Sequence, residues 1–319
     1  MSLRLPDDWV WDAWYAVDGD LVHAFFLHAP RRLGDPRKRH LEARVGHAVS
    51  RDLVRWEPRR EALGRGRRGA FDDLATWTGS VTRHGEGWLM AYSGVSTRDD
   101  GQVQRIGFAR SHDLDHWERT GTVVEADPRW YEVDRAVGEV HWRDPWLWTA
   151  PDGVLHVLLT ARARVGELDG RGVIGHAWST DDGASFDVGP PLSAPGELRQ
   201  IEVPQLVRLT DDRWLVLGSA RPVDASAARL ARGVAAESGT FVLEGPAPLG
   251  PFRLCDRPFL HGSPTERAYA GRLVELRGRR WLMTWTDTVD GAFVGELADP
   301  IALERDATGG LRVADAARA

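Results

Sequence analysis

An internal repeat constrains this chain more than any other feature. Gly46-His47-Ala48-Val49-Ser50-Arg51-Asp52-Leu53-Val54-Arg55-Trp56 is matched almost position for position by Gly107-Phe108-Ala109-Arg110-Ser111-His112-Asp113-Leu114-Asp115-His116-Trp117. A third copy over 173–186 closes on Phe186, and decayed copies occupy 239–252 and 292–301. Ahead of each copy stands a hairpin signal, a turn such as Asp18-Gly19-Asp20 or Pro151-Asp152-Gly153 followed by a short β-branched or aromatic run. A unit of about four short strands cannot bury both of its faces alone, so five in series predict an all-β chain folded as a five-bladed β-propeller. The repeat runs through Gly189-Pro190-Pro191 without a change of period, which predicts one domain over 1–319 rather than two stacked sandwiches.

Each unit opens with a further run, at 9–15, 77–83, 140–148, 201–209 and 269–276. In a propeller the first strand of every blade lines the central channel, so these side chains face whatever binds there. Asp12, Asp144 and Glu202 all lie on runs of this class, in Trp11-Asp12-Ala13-Trp14, Trp142-Arg143-Asp144-Pro145 and Ile201-Glu202-Val203-Pro204. Charges are seldom placed at the entrance to a core without a partner or a task. Two carboxyl groups facing each other across a pocket are the apparatus of glycoside hydrolysis. A third fits as an acceptor for sugar hydroxyls, with Arg143 beside it to hold it ionised. Glu202, flanked by Ile201 and Val203-Pro204, is expected to have the most raised pKa of the three and to serve as the acid. The 15 Trp against 9 Phe and 4 Tyr suit stacking on sugar rings. Trp11, Trp77, Ser80, Trp142, Trp146 and Tyr269 are expected to contact substrate at the channel mouth, beside Arg143.

Other classes are disfavoured. The net charge of −6 and a pI near 6.0 offer no basic footprint for nucleic acid. Cys255 is the only cysteine, the first residues carry no apolar leader core, and no run of eighteen apolar residues occurs, so a cytoplasmic protein with no membrane partner is expected. His47, His141 and His176 lack metal-ligand spacing and are read as structural, so neither metal nor cofactor is expected. Asp52 and Asp113 are read as turn formers bonding their own backbone. The expected partner is a small carbohydrate.

The segment 46–56, Trp77-Thr78-Gly79-Ser80, Trp142-Arg143-Asp144-Pro145 and Glu202-Val203-Pro204, in this order, resemble the β-fructosidase clan of invertases, inulinases and levansucrases and its arabinanase-like relatives. Trp11-Asp12-Ala13-Trp14 looks more like the levansucrase form of the first motif than the Asn-Asp-Pro-Asn of invertases. The resemblance implies a retaining glycosidase acting on a β-fructofuranoside, with Asp12 as nucleophile, Asp144 as the transition-state stabiliser gripping the furanose hydroxyls, and Glu202 as acid/base. With the chain ending at Ala319, a bare propeller lacking the C-terminal β-sandwich of invertases is expected. The rival readings are an inverting arabinofuranosidase or xylosidase on the same fold, a fructosyl transferase, and a sugar-binding propeller without catalysis.

Overall fold

The computed structural model describes residues 3–314 as five antiparallel sheets. Blade 1 runs β1 (Asp8–Asp18), β2 (Leu21–Pro30), β3 (Arg44–Ser50) and β4 (Glu57–Pro58). Blade 2 runs β5 (Ala75–His84), β6 (Gly87–Val95), β7 (Arg105–Ser111) and β8 (Glu118–Val124). Blade 3 runs β9 (Trp142–Thr149), β10 (Leu155–Arg162), β11 (Gly172–Ser179) and β12 (Asp187–Gly189). Blade 4 holds β13 (Glu202–Thr210), β14 (Arg213–Ala220), β15 (Ser238–Gly245), β16 (Arg253–Leu254) and β17 (His261–Ser263). Blade 5 holds β18 (Ala268–Leu276), β19 (Arg279–Val289), β20 (Ala292–Leu297), β21 (Ile301–Arg305) and β22 (Leu311–Val313). This is the five-bladed propeller the repeat predicts. In blade 5 the third strand is broken: β20 and β21 both pair with β19, on either side of Ala298-Asp299-Pro300. Pro300 has no N–H to donate to the ladder, which explains the interruption.

The repeated Ser-x-Asp-Leu segment is a turn after each third strand. Ser50 Oγ accepts from the backbone N–H of Leu53, and Asp52 Oδ1 accepts from Val54 and Arg55. Ser111 and Asp113 repeat these bonds with Leu114, Asp115 and His116. The indoles of Trp56 and Trp117 donate back to the carbonyls of Leu53 and Leu114, fixing how the chain enters the outer strand. Asp52 and Asp113 are therefore turn residues, remote from the channel.

The ring closes without an exchanged strand. Leu297 N donates to Leu3 O, Trp9 meets Phe293 edge-on at 5.8 Å, and one apolar cluster joins blades 5, 1 and 2. Every inner strand carries a bulge at the same place: the register slips between Trp11 and Ala13, Trp77 and Gly79, Arg143 and Trp146, Glu202 and Gln205, and Tyr269 and Arg272. Four of the five bulges place a non-glycine residue at positive φ, namely Asp12 (35°), Asp144 (55°), Val203 (47°) and Ala270 (52°). The residue next after the bulge suits the crowding there. A Cβ on Gly79 would lie 2.3 Å from the Ala91 carbonyl oxygen and one on Gly271 2.3 Å from Thr240 Oγ1, while blades 3 and 4 use Pro145 and Pro204, which give up a ladder N–H.

His47 and His176, read as structural, sit in buried pairs, His23 Nδ1 to His47 Nε2 and His156 Nδ1 to His176 Nε2, each at 3.0 Å. Burial is the main cause that lowers all four pKa values, that of His47 to about 3 and that of His176 to about 4. The unfolded histidines take up protons near pH 6.5 while the folded ones refuse them, so the pairs stabilise the fold above that pH and lose their effect as pH falls toward 4. The melting temperature is expected to fall between pH 7 and pH 5, and the fall should be shallower in the double variant H47F/H176F. An equal slope in both proteins excludes the pairs as its source.

Candidate active site

The bulges determine what faces the channel. At a bulge two residues oppose one on the partner strand, so the alternation of faces is suspended and neighbouring side chains can turn to the same side. The residue before each bulge, Trp11, Trp77, Arg143, Glu202 and Tyr269, lines one cavity of about 650 Å³, as do the bulge residues Asp12, Thr78, Asp144 and Val203. All three predicted carboxylates are thus brought together, and so are Arg143, Trp11, Trp77 and Tyr269 from the predicted binding set.

Three predicted contacts lie elsewhere. Ser80 is buried between blades 2 and 3, where its hydroxyl accepts from Leu147 N. Trp142 is fully buried 4.7 Å from Tyr131 in the core of blade 3. Trp146 packs on the blade 4 cluster under the Arg272 guanidinium. In each case the ordinary strand alternation, away from the bulge, sends the side chain to a blade face.

Arg143 organises the charges. Its Nη2 donates to Glu202 Oε1 at 2.6 Å and to Gln200 Oε1, its Nη1 meets Gln104 Oε1 (3.2 Å) and His141 Nδ1 (2.7 Å), and its Nε lies 3.4 Å from Asp144 Oδ2. Asp144 Oδ2 also accepts from Thr160 Oγ1 at 3.0 Å and from Val203 N at 3.2 Å. Tyr269 OH donates to Glu202 Oε2 at 2.6 Å, and the Arg221 guanidinium lies 3.9 Å from the Tyr269 ring centroid. Among the described residues Asp12 has one side-chain donor, Thr78 Oγ1 at 3.1 Å.

The pKa order corrects the expectation for Glu202. Burial tends to raise it, but Arg143 and the Tyr269 hydroxyl outweigh burial and hold Glu202 below the usual carboxylate range. Asp12 instead is pushed up to about 6, first by burial and then by the negative charges of Asp144 and Glu202. Burial also raises Asp144, against the pull of Arg143. Apolar sequence neighbours do not reveal Arg143 and Tyr269, which reach Glu202 from other blades.

Several lining residues escaped the sequence reading because loops carry them. Arg39 and His40 come from the 3-10 segment Pro36–Glu42, Arg221 from the turn after β14, and Gln104 from the segment before β7. The Arg39 guanidinium stacks at 5.2 Å on Trp11 and 4.7 Å on Phe293. His141, read as structural, lines the cavity as a partner of Arg143.

A propeller whose mouth gathers three carboxylates around an arginine has the equipment of a glycosidase. The family described as "Glycosyl hydrolases family 32 N-terminal domain" matches residues 17–291, and the chain belongs to it. The matched span starts beyond Asp12, so that residue enters the site on the geometry alone. The fold is shared with inulosucrase from Halalkalicoccus jeotgali bound to kestose (20% identity, 97% of this chain and 87% of that one, TM-score 0.78). It is shared too with Bacillus subtilis levansucrase (13%, 98% and 87%, 0.74) and with fructan 1-exohydrolase IIa from Cichorium intybus (20%, 99% and 60%, 0.70). No curated protein matches the chain in sequence.

If Tyr269 holds Glu202 down, Tyr269→Phe should move the pH–rate limb that belongs to Glu202 upward by about one unit, the worth of one charge-assisted hydrogen bond. An unmoved limb, with kcat/KM alone reduced, assigns Tyr269 to substrate contact instead.

Proposed function

We propose that the protein hydrolyses a β-fructofuranoside of the sucrose or fructan type by a retaining double displacement. The observation that carries this reading is the series of bulges that delivers Asp12, Asp144 and Glu202 to one cavity in a chain of this family. Asp12 is the nucleophile: its Oδ2 takes the single Thr78 bond, leaving Oδ1 for the anomeric carbon. Asp144 is held by three donors on Oδ2 and presents a fixed Oδ1 to the furanose hydroxyls. Glu202, poised between Arg143 and Tyr269, protonates the leaving oxygen as the bond to Asp12 forms, then takes a proton from the water that releases the sugar. In the free site Glu202 favours the carboxylate. The raised Asp12 and Asp144 keep a proton within the cluster, and ionisation of Asp12 at the moment of attack leaves that proton for Glu202.

The roles separate by variant. Asp12→Asn is expected to lower kcat by about 10⁴-fold or more, and Glu202→Gln by about 10² to 10⁴, on a panel of sucrose, inulin and levan. Wild-type kcat/KM should fall as pH rises through about 6, where the cluster gives up the proton that Glu202 must donate. NMR of the first product formed should show the anomer of the substrate; the opposite anomer transfers the site to an inverting mechanism, and equal activity in Asp12→Asn removes Asp12 from the chemistry.

A further inference from the structure

The second strand of each blade runs beside the inner one, and what it sets opposite the residue before the bulge follows a pattern. Trp77 pairs with Ser93, Arg143 with Thr160 and Glu202 with Ser219, whereas Trp11 and Tyr269 face Leu27 and Trp285. Blades 2, 3 and 4 thus carry a hydroxyl at this place, and all three are wholly buried. Each links its blade to the bulge of the following one, Ser219 through Thr240. Ser93 Oγ donates to Thr78 O at 2.9 Å in its own blade and accepts from Asp144 N at 2.8 Å in the next. Ser219 Oγ lies 3.4 Å from Thr240 Oγ1, which accepts from Gly271 N at 3.1 Å. Thr160 differs from both, because one of its two partners is a carboxyl group. Its Oγ1 is 3.0 Å from Asp144 Oδ2 and 2.8 Å from the carbonyl oxygen of Ile201, the residue before Glu202.

A hydroxyl has one proton to give and two lone pairs with which to accept. Thr160 therefore cannot donate fully to both partners at once, and a carbonyl oxygen can only accept. With Asp144 ionised, the carboxylate is the stronger acceptor and draws the threonine proton. With Asp144 protonated, the acid donates to Thr160 Oγ1 and the threonine proton turns to Ile201 O. Complete burial leaves no bulk water to replace whichever bond is given up. We propose that Thr160 is a positioning residue that ties the charge on Asp144 to the backbone carrying Glu202, its single proton turning between the two. The inference rests on the fructofuranosidase reading above and adds to it a residue that does not line the cavity. Burial raises the pKa of Asp144, and the Thr160 bond works against burial, so the hydroxyl readies Asp144 to accept from furanose hydroxyls. A proton arriving on Asp144 in turn frees the threonine hydroxyl to fix the strand end from which Glu202 reaches Arg143 and Tyr269.

The test follows the Asp144 carboxyl in the wild type, Thr160→Val, Thr160→Ser and Ser93→Ala, by titrating the infrared band of the protonated acid that Asp144→Asn abolishes. Kinetics on sucrose and inulin are measured against pH in the same proteins. Thr160→Val keeps the size of the side chain and removes the hydroxyl. The midpoint of the Asp144 band should rise by about one pH unit, and the maximal kcat/KM should fall about tenfold, the worth of one hydrogen bond to a charged group. The loss should fall on kcat as well as KM, because the strand end that carries Glu202 is released too. Thr160→Ser should restore both quantities. Ser93→Ala removes bonds to backbone atoms only, and should lower the melting temperature while leaving the midpoint in place. If Thr160→Val does not fold, Thr160→Ala makes the same comparison. An unmoved midpoint in the variant without the hydroxyl, an equal rise in Ser93→Ala, or a serine variant that behaves like the valine one overturns the proposal and leaves the fructofuranosidase reading standing. A rise in KM alone overturns the link to Glu202. A raised midpoint in a protein whose wild type turns over neither sugar overturns that reading and leaves the role of Thr160 standing.

Discussion

The structure of the site depends on the bulge in each inner strand. An unbroken strand presents every second residue to the channel, and Trp11 and Asp12 would then point opposite ways. The bulge lets a pair of neighbours share the channel side, and around the ring it supplies four such pairs, with Tyr269 alone from blade 5. The arrangement has an energetic cost: a non-glycine residue at positive φ is strained by about 1 to 3 kcal/mol, and the β-branched Val203 is an outlier even in that company. Blade packing over-determines these conformations. Val203, for example, is itself buried in the cluster that joins blades 5, 1 and 2, while its N–H is held by Asp144.

On that ring the charges are held by one residue. Three carboxylates gathered in one cavity repel each other, so each raises the pKa of the others unless a cation offsets it. Arg143 sits on the same strand as Asp144 and reaches Glu202 on the next blade, so it separates the three: Glu202 is pulled down, whereas Asp12, with the more distant Arg39 as its cation, is left high. Carboxyl groups of one type in one cavity thereby acquire different protonation habits, the condition for dividing nucleophile from acid. Tyr269 contributes from blade 5 and is in turn backed by Arg221, which is tied to Asp287 at 2.5 Å.

The fold was legible because a propeller writes its repeat into the chain: Ser50, Ser111 and Ser179 mark the same turn in three blades. Asp12, Asp144 and Glu202 were legible because they fall on the run that opens a blade, where position alone places them at the axis. Parity was not. Trp142 and Arg143 are adjacent, and only the bulge decides that Arg143 enters the cavity while Trp142 packs in the core. A clue stood in the sequence in the small or proline residue after each bulge, Ala13, Gly79, Pro145, Pro204 and Gly271, and aligning the five runs on it would have separated Ser80 and Trp142 from the true lining residues. The pKa of Glu202 and the loop residues Arg39, His40 and Arg221 depend on contacts across blades, which no local pattern encodes.

The division between strands and loops also separates two properties of the site. The five residues before the bulges are set by backbone hydrogen bonding shared with the whole ring, so a change there disturbs packing as well as chemistry. The rim is built otherwise: segments 36–42, 97–104 and 127–141 fold on local turns, such as Asp35 receiving Arg37 N, Ser96 receiving Arg98 N and Asp127 receiving Arg129 N. Such segments can change length or composition with little effect on the ladder beneath them. The carboxylates and Arg143 therefore depend on the inner strands, and the loop residues around them on the rim.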